Sequence, residues 1–191
     1  MKILALFGSP RRGGNTEILL DRVLQGATEN GASFNKIVLY DPKINPCREL
    51  YGCRAKGLCT IKDDMDKIFE LICDAKAIIL ASPIFFYHVP APVKAMIDRC
   101  QALWVKKYRL HLPISPIPNR KGIFLAVGAT KGENLFVGAK LTVKYFFDAI
   151  DVSYSKELLL RRLDEVGAIT KHPDLLDQAY ELGKDLALSE P

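Results

Sequence analysis

The sequence predicts an α/β protein in which five parallel strands form a central sheet with helices on both faces. Short apolar runs, too continuous for strands with one solvent-exposed face, alternate along the chain with longer segments of helical period. Each predicted strand is followed by a predicted helix, which is the order of a doubly wound three-layer sandwich. The 191 residues suffice for one core and show neither an internal repeat nor a second domain, so we expect one domain over residues 1–191.

The first strand and first helix have the clearest pattern. Lys2–Phe7 is almost wholly apolar, as a strand covered on both faces must be. Within Ile18–Ala27 apolar residues recur at helical spacing, and Asn15 or Thr16 can cap the start of the helix while Gly31 can end it. These residues predict the first strand and its crossover helix.

The remaining elements continue the same alternation. The second helix opens with acidic residues, which suit the positive end of a helix dipole. The other strands are expected at Ile37–Tyr40, Ala77–Ala81, Ile123–Val127 and, with the weakest pattern, Val152–Leu160. The other helices are expected at Asp63–Cys73, Ala91–Trp104, Asn134–Ile150 and Asp174–Leu188.

Composition excludes several classes of protein. With 49% hydrophobic and 26% charged residues the chain is neither disordered nor a repetitive scaffold. A net charge of +5 is too small for a nucleic-acid-binding protein, and no segment is apolar for long enough to predict a membrane span. Five cysteines, an odd number without the spacing of a small secreted scaffold, predict a reducing compartment and a cytoplasmic location.

An anion-binding loop is predicted between the first strand and the first helix. Backbone N–H groups of the tight turn Gly8–Thr16 would meet a ligand at the positive end of the helix dipole. The loop lacks both the Lys-Ser/Thr of nucleoside triphosphate loops and the G-x-G-x-x-G of dinucleotide sites, which favours a single terminal phosphate. The alternative is a plain turn whose glycines only permit the bend. The candidate phosphate-binding residues are Ser9, Arg11, Gly14, Asn15 and Thr16.

Two segments together resemble a known family. Gly8–Thr16 after a first strand, and the sequence ASPIFFYHVPAPVKAMIDR at Ala81–Arg99, are similar to the NADPH-dependent FMN reductase family of flavodoxin-like proteins. The similarity extends from Met1 to about Ala149 and is greatest to the branch that includes iron–sulfur flavoproteins. The resemblance implies a flavodoxin-like sandwich with strand order 2-1-3-4-5, non-covalently bound FMN, and a homodimer or homotetramer.

The resemblance also assigns two further loops to the flavin. A flavin is a flat apolar tricycle with polar edges, so its site needs rings or aliphatic groups together with backbone N–H and C=O groups. The aromatic loop after the third strand offers these, although its side chains could instead pack over the sheet or into a subunit interface. Its candidate residues are Pro83, Ile84, Phe85, Phe86 and Tyr87. The loop after the fourth strand adds Thr130 and Gly132.

Three cysteines, Cys47, Cys53 and Cys59, lie within a short stretch of the chain. By the resemblance, cluster-bearing relatives carry C-x2-C-x2-C-x(4–7)-C at this place, but Leu50 occupies the second position. A [4Fe–4S] cluster ordinarily needs four thiolates, and zinc held by three cysteines needs a histidine, which is distant in this sequence. We therefore predict no metal site and keep the three cysteines as the candidates if one exists.

The implied activity is that of an FMN-dependent oxidoreductase. NADPH or NADH would supply electrons, and the flavin would pass them to a small acceptor such as free flavin or a quinone. No side chain is expected to act as nucleophile or base, because the flavin carries the chemistry. The alternative is an electron carrier or regulatory flavoprotein that docks to a protein partner, a class that is typically acidic, unlike this chain.

A basic stretch predicts the preferred electron donor. Between Arg99 and Gly132 no acidic residue occurs, and a run of one sign could neutralise the phosphates of a second nucleotide. This reasoning predicts NADPH over NADH, whereas the alternative is a solvated basic face. The basic residues are Arg99, Lys106, Lys107, Arg109, Arg120, Lys121 and Lys131.

Overall fold

A five-stranded parallel sheet forms the centre of the protein, seen in a computed structural model that describes residues 1–189. The strand order is β2-β1-β3-β4-β5, which confirms the predicted fold class. Every neighbouring pair is parallel, and the β4–β5 ladder contains one register shift. The strands are β1 (Lys2–Phe7), β2 (Ser33–Val38), β3 (Ala77–Pro83), β4 (Lys121–Val127) and β5 (Ser153–Leu160).

Within residues 1–189 six α-helices cover the sheet, and a five-residue π-helical turn at Val105–Arg109 follows the fourth. The predicted helix over Ala91–Trp104 is divided into two at Cys100. Among residues 1–189 no helix is both long and apolar enough to span a bilayer. The helices are α1 (Asn15–Glu29), α2 (Met65–Asp74), α3 (Ala91–Arg99), α4 (Gln101–Trp104), α5 (Val137–Ala149) and α6 (Pro173–Leu188).

The core consists of two apolar layers, one on each face of the sheet. Successive residues of β1, such as Ile3 and Leu4, belong to opposite layers because successive strand side chains point to opposite faces. One layer packs against α1 and α6, and the other packs against the helices from α2 to α5. Both faces of β1, β3 and β4 are buried, which explains their continuous apolar sequences.

The prediction for the second strand was wrong in its bounds. It placed the strand at Ile37–Tyr40, whereas β2 starts four residues earlier, at Ser33, and ends at Val38. β2 is an edge strand that pairs only with β1 and stays partly exposed, so it accommodates polar residues such as Asn35 and Lys36. A search for apolar runs cannot recognise such a strand.

The topology places three loops at one edge of the sheet. From β1 the chain crosses to β2 on one side and then to β3 on the other, which makes β1–β3 the switch point where ligands bind in such sheets. Backbone hydrogen bonds connect the adjacent strand ends here, from Gly8 N–H to the Ala81 oxygen (2.8 Å) and from Ile84 N–H to the Val127 oxygen (3.0 Å). The loops after β1, β3 and β4 therefore emerge side by side.

Candidate functional site

A cleft of about 230 Å³ opens where these loops meet. It brings together the predicted phosphate loop and the first part of the predicted aromatic loop. Three residues from the chain after β5 complete its wall. The lining residues are Ser9, Pro10, Arg11, Gly14, Asn15, Thr16, Pro83, Ile84, Phe85, Val127, Ala129, Leu163, Asp164 and Val166.

One end of the cleft is formed by the N-terminus of α1. Gly14 is the N-cap residue in extended conformation, and no side chain caps the helix. Within residues 1–189 no oxygen accepts a hydrogen bond from the N–H groups of Gly14, Asn15 or Thr16. Ser9 Oγ accepts a hydrogen bond from Arg11 N–H at 3.1 Å, which leaves the hydroxyl proton of Ser9 for a ligand. This end of the cleft therefore offers several donors to an anion.

The two neighbouring arginines of the loop have different environments. Arg12 is ion-paired with Asp41 at 2.6 Å and lies 3.9 Å from Glu17. Burial would raise the pKa of Glu17, but hydrogen bonds from Lys36 and from Gly13 N–H lower it overall, so this carboxylate is charged and already partnered. In the described part of the chain Arg11 forms no ion pair or side-chain hydrogen bond, and it lines the cleft. Arg11 is thus the cation available to a ligand.

The side chain of Asn15 forms hydrogen bonds within the fold. Its Nδ2 donates to the backbone oxygens of Leu163 (3.3 Å) and Glu165 (2.8 Å), and its Oδ1 accepts from the N–H of Ile169 (3.1 Å). We expected this amide to donate to a phosphate, but its hydrogen-bonding groups are already engaged. Only the backbone N–H of Asn15 remains for an anion.

The aromatic loop folds as a tight hairpin. Phe85 and His88 exchange N–H···O hydrogen bonds of 2.9 Å in both directions, and Phe86 and Tyr87 between them have φ angles of 48° and 63°. Two positive φ values in a two-residue loop are the geometry of a type I′ turn. The turn directs Phe85 into the cleft and leaves Phe86, at its apex, fully exposed to solvent.

The loop after β4 contacts this hairpin beside the cleft. A Cβ atom on Gly132 would collide with the hydroxyl of Tyr87, so replacing this glycine would require the Tyr87 side chain to shift. The carbonyl of Thr130 accepts a hydrogen bond of 3.4 Å from Arg162 N–H. Of the predicted residues, Phe86, Tyr87, Thr130 and Gly132 do not line the cleft, and their contact with a flavin stays a prediction.

The basic stretch does not form one surface. Arg99 and Arg120 are buried and donate hydrogen bonds within the fold. Lys107 lies 3.4 Å from Asp148 and 3.2 Å from Asp151, which the fold brings from α5 and the residues after it. Three of the seven basic residues are therefore engaged within the fold, and the preference for NADPH over NADH stays a prediction.

The cysteines lie at a different cavity, of about 610 Å³, which Leu50 also lines. Cys47 is exposed while Cys53 and Cys59 are half-buried. Burial raises the pKa of the Cys53 thiol, and the neighbouring sulfurs of Cys59 and Cys47 raise it further. In residues 1–189 no three His, Cys, Asp or Glu side chains are placed to hold a metal ion, and Leu50 cannot be a ligand. These residues do not fit a four-thiolate cluster, and the absence of a metal site stays a prediction.

A comparison with family models identifies the family. The model for NADPH-dependent FMN reductases matches residues 1–151. The chain belongs to the NADPH-dependent FMN reductase family. This confirms the family predicted from the two motifs, and with it FMN as the cofactor.

Individual relatives of this FMN reductase family member agree with that assignment. The iron–sulfur flavoprotein of Methanosarcina thermophila is 34% identical over 131 residues, which cover 69% of this chain and 65% of that protein, just under two thirds of its length. The solved NAD(P)H:quinone oxidoreductase of Methanothermobacter marburgensis has a TM-score of 0.71 at 19% identity, covering 97% of this chain and 98% of the other. An FMN-dependent NADH-azoreductase of Bacillus anthracis, solved with FMN, has a TM-score of 0.71 at 11% identity over 98% and 100% of the two chains. At these identities the two solved structures show a shared fold.

Sequence reasoning missed the part of the cleft contributed by the chain after β5. Leu163, Asp164 and Val166 lie beyond the matched family region, and no motif marks them. A topological signal existed, because a loop that follows a parallel strand emerges at the same sheet edge as the other site loops. Because the sequence pattern of β5 is weak, the position of the loop after it was not predicted.

Proposed function

We propose that this chain, as one domain over residues 1–191, is an FMN-dependent NAD(P)H oxidoreductase that passes electrons to a small acceptor. The observation that carries the proposal is a single cleft joining two kinds of surface. Free amides and an unpartnered arginine lie at one end, and an aromatic side chain with apolar neighbours lies at the other. This combination suits a ligand with a phosphate at one end and a flat ring at the other.

The hydrogen-bond donors at the phosphate end of the cleft suit the phosphate group of FMN. The N–H groups of Gly14, Asn15 and Thr16 and the hydroxyls of Ser9 and Thr16 are neutral donors at the positive end of the α1 dipole. Arg11 adds a charge-assisted bond. A pyrophosphate or a magnesium-bound triphosphate would need further charges, which the residues lining the cleft do not provide.

The opposite end fits a flavin ring. Pro83, Ile84 and Phe85 present apolar surface, and the hairpin holds the backbone of Phe85 rigid through its two hydrogen bonds with His88. We propose that Phe86, Tyr87, Thr130 and Gly132 border this end of the site. FMN, when bound, supplies the hydride acceptance and the electron transfer, so the protein has to bind, orient and shield it.

Steady-state kinetics test this function against that of an electron carrier. With FMN-loaded protein, we expect NADPH or NADH oxidation that depends on an added water-soluble quinone and increases in proportion to protein concentration. A carrier would keep its flavin oxidised in the presence of NADPH and quinone, yet accept electrons from a reductase supplied in trans. That second pattern would replace our proposal with the carrier function.

We also propose that the protein acts as a cytoplasmic homo-oligomer without a nucleic-acid partner. A groove of about 410 Å³ between α3–α4 and α5 is lined by exposed apolar residues that include Trp104, Leu141 and Tyr145. Exposed apolar surface of this kind is typical of protein interfaces. Sedimentation velocity decides the matter, since a monomer at micromolar concentration contradicts the proposal.

A further inference from the structure

Residues 161–167, which we call the post-β5 segment, form one wall of the cleft. Leu163, Asp164 and Val166 line the cleft together with the loops that the family motifs identify. The segment lies outside residues 1–151, the region that matches the family model. Its contribution to the site is therefore a property of this chain that the family match does not describe.

The fold holds the post-β5 segment in place firmly. Besides the hydrogen bonds from Asn15, Leu163 N–H donates to the Gly128 oxygen at 3.2 Å. Arg162 and Gly167 have φ angles of 61° and 75°, so the chain turns at each end of the segment. Leu163 is buried, which leaves Asp164 next to it as the polar group that reaches the cleft. Because the segment is held in place, Asp164 has a fixed position from which it can form specific hydrogen bonds with a ligand.

Asp164 carries the one carboxylate among the residues lining the cleft. Within the described chain it forms no ion pair and no side-chain hydrogen bond, unlike Glu17 and Asp41 nearby. An ionised carboxylate is only an acceptor, so its ligand must present hydrogen-bond donors, and it repels a phosphate. Asp164 therefore matches a neutral, hydroxyl-bearing part of a ligand.

The position of Asp164 indicates which hydroxyl-bearing part of FMN it would contact. Asn15, the first residue of α1, holds the carbonyls on both sides of Asp164, so this residue lies beside the anion end of the cleft. Building on the proposed function, we propose that Asp164 accepts hydrogen bonds from the ribityl hydroxyls of FMN. It would then select for flavins that carry the polyol chain, independently of their phosphate.

A comparison of three flavins distinguishes a contact of Asp164 with the ribityl chain from a contact with the phosphate or the ring. Binding of FMN, riboflavin and lumiflavin to the flavin-free full chain is followed by quenching of flavin fluorescence, for the parent and for Asp164→Ala. Riboflavin lacks the phosphate, and lumiflavin lacks the whole polyol chain. We expect Asp164→Ala to weaken FMN and riboflavin by the same factor, roughly tenfold, and to leave lumiflavin unchanged. Glu165→Gln, which removes a charge from the adjacent exposed side chain, should change none of the three affinities.

The other outcomes overturn the inference in distinguishable ways. Tighter binding of FMN alone in Asp164→Ala would place the carboxylate beside the phosphate, and an equal loss for lumiflavin would place it beside the ring. Unchanged affinities would remove it from the site. If Asp164→Ala folds poorly, Asp164→Asn, which keeps one acceptor oxygen, should give the same pattern with a smaller loss. A parent chain that binds none of the three flavins contradicts the proposed function itself and this inference with it.

Discussion

Asp63 accepts hydrogen bonds of 2.7 and 3.1 Å from the guanidinium of Arg99, and both side chains are almost completely buried. The remaining donors of Arg99 reach the backbone oxygens of Asn45 and Ile61 and the sulfur of Cys59, the last at 3.2 Å. Arg99, at the end of α3, therefore forms hydrogen bonds with both ends of the loop that carries the cysteines, at Asn45 and at Ile61. No local sequence pattern indicates this ion pair, which joins residues 36 positions apart.

This ion pair predicts a stability change in acid. Burial alone would raise the pKa of Asp63, but hydrogen bonds from Arg99 and Asn45 lower it to about 2. Because the folded pKa lies below the unfolded value, the pair's contribution is present above about pH 4 and is lost as the pH falls towards 2. We expect the loss to be on the order of 2 kcal/mol in the free energy of unfolding measured with urea.

Asp63→Asn provides the comparison for that measurement. The substitution leaves Arg99 buried without its counter-charge and should destabilise the fold by about 3 kcal/mol at neutral pH. Its stability should also fall less between pH 4 and pH 2.5 than that of the parent. An identical acid dependence in parent and variant would show that other carboxyl groups cause the loss.

Arg11→Ala tests the phosphate end of the cleft. Loss of one charge-assisted hydrogen bond should weaken FMN by roughly tenfold to a hundredfold and leave riboflavin, which has no phosphate, unchanged. Arg12→Ala is the matched control, because Arg12 is ion-paired with Asp41. Equal effects of the two substitutions on FMN affinity would mean that Arg11 contributes only general positive charge.

Asn15→Ala tests how the post-β5 segment is held. The change removes three hydrogen bonds and leaves the Leu163 oxygen and the Ile169 N–H without a partner within residues 1–189, so we expect a loss of about 1–3 kcal/mol in the free energy of unfolding. FMN and riboflavin should both bind more weakly, since the wall carrying Asp164 loosens. Asn30→Ala removes a single hydrogen bond at the other end of α1 and should cost less. If Asn30→Ala is as harmful as Asn15→Ala, the three hydrogen bonds do not hold the segment.

The cysteine loop predicts a protein without a four-iron cluster. Leu50 is 59% exposed at the position where the resemblance expects a ligand, so only three thiolates are available. Iron and acid-labile sulfide, measured after anaerobic purification, should both be far below stoichiometric amounts. Near-stoichiometric values would indicate a ligand from another group or a cluster shared between subunits.

The parts of the fold that sequence predicts well are those with local signals. β1, β3 and β4 are buried on both faces, so their apolar runs are unambiguous, and the glycine-rich turn before α1 marks the anion loop. The edge strand β2 has no such run. That Arg11 and not Arg12 is the free cation depends on the ion pair between Arg12 and Asp41, which lie 29 positions apart in the chain. The post-β5 segment and the role of Asn15 depend on contacts between residues about 150 positions apart, which no local pattern encodes.

We propose that this cleft binds FMN and presents it to a reduced nicotinamide nucleotide. An anaerobic titration of the FMN-reconstituted protein with NADPH, followed through the visible absorption of oxidised flavin, tests this proposal. We expect FMN to remain bound through gel filtration in a one-to-one ratio, and its absorption to disappear in proportion to the NADPH added. A protein that releases all its FMN on the column, or whose bound flavin stays oxidised in excess NADPH and NADH, would contradict this account.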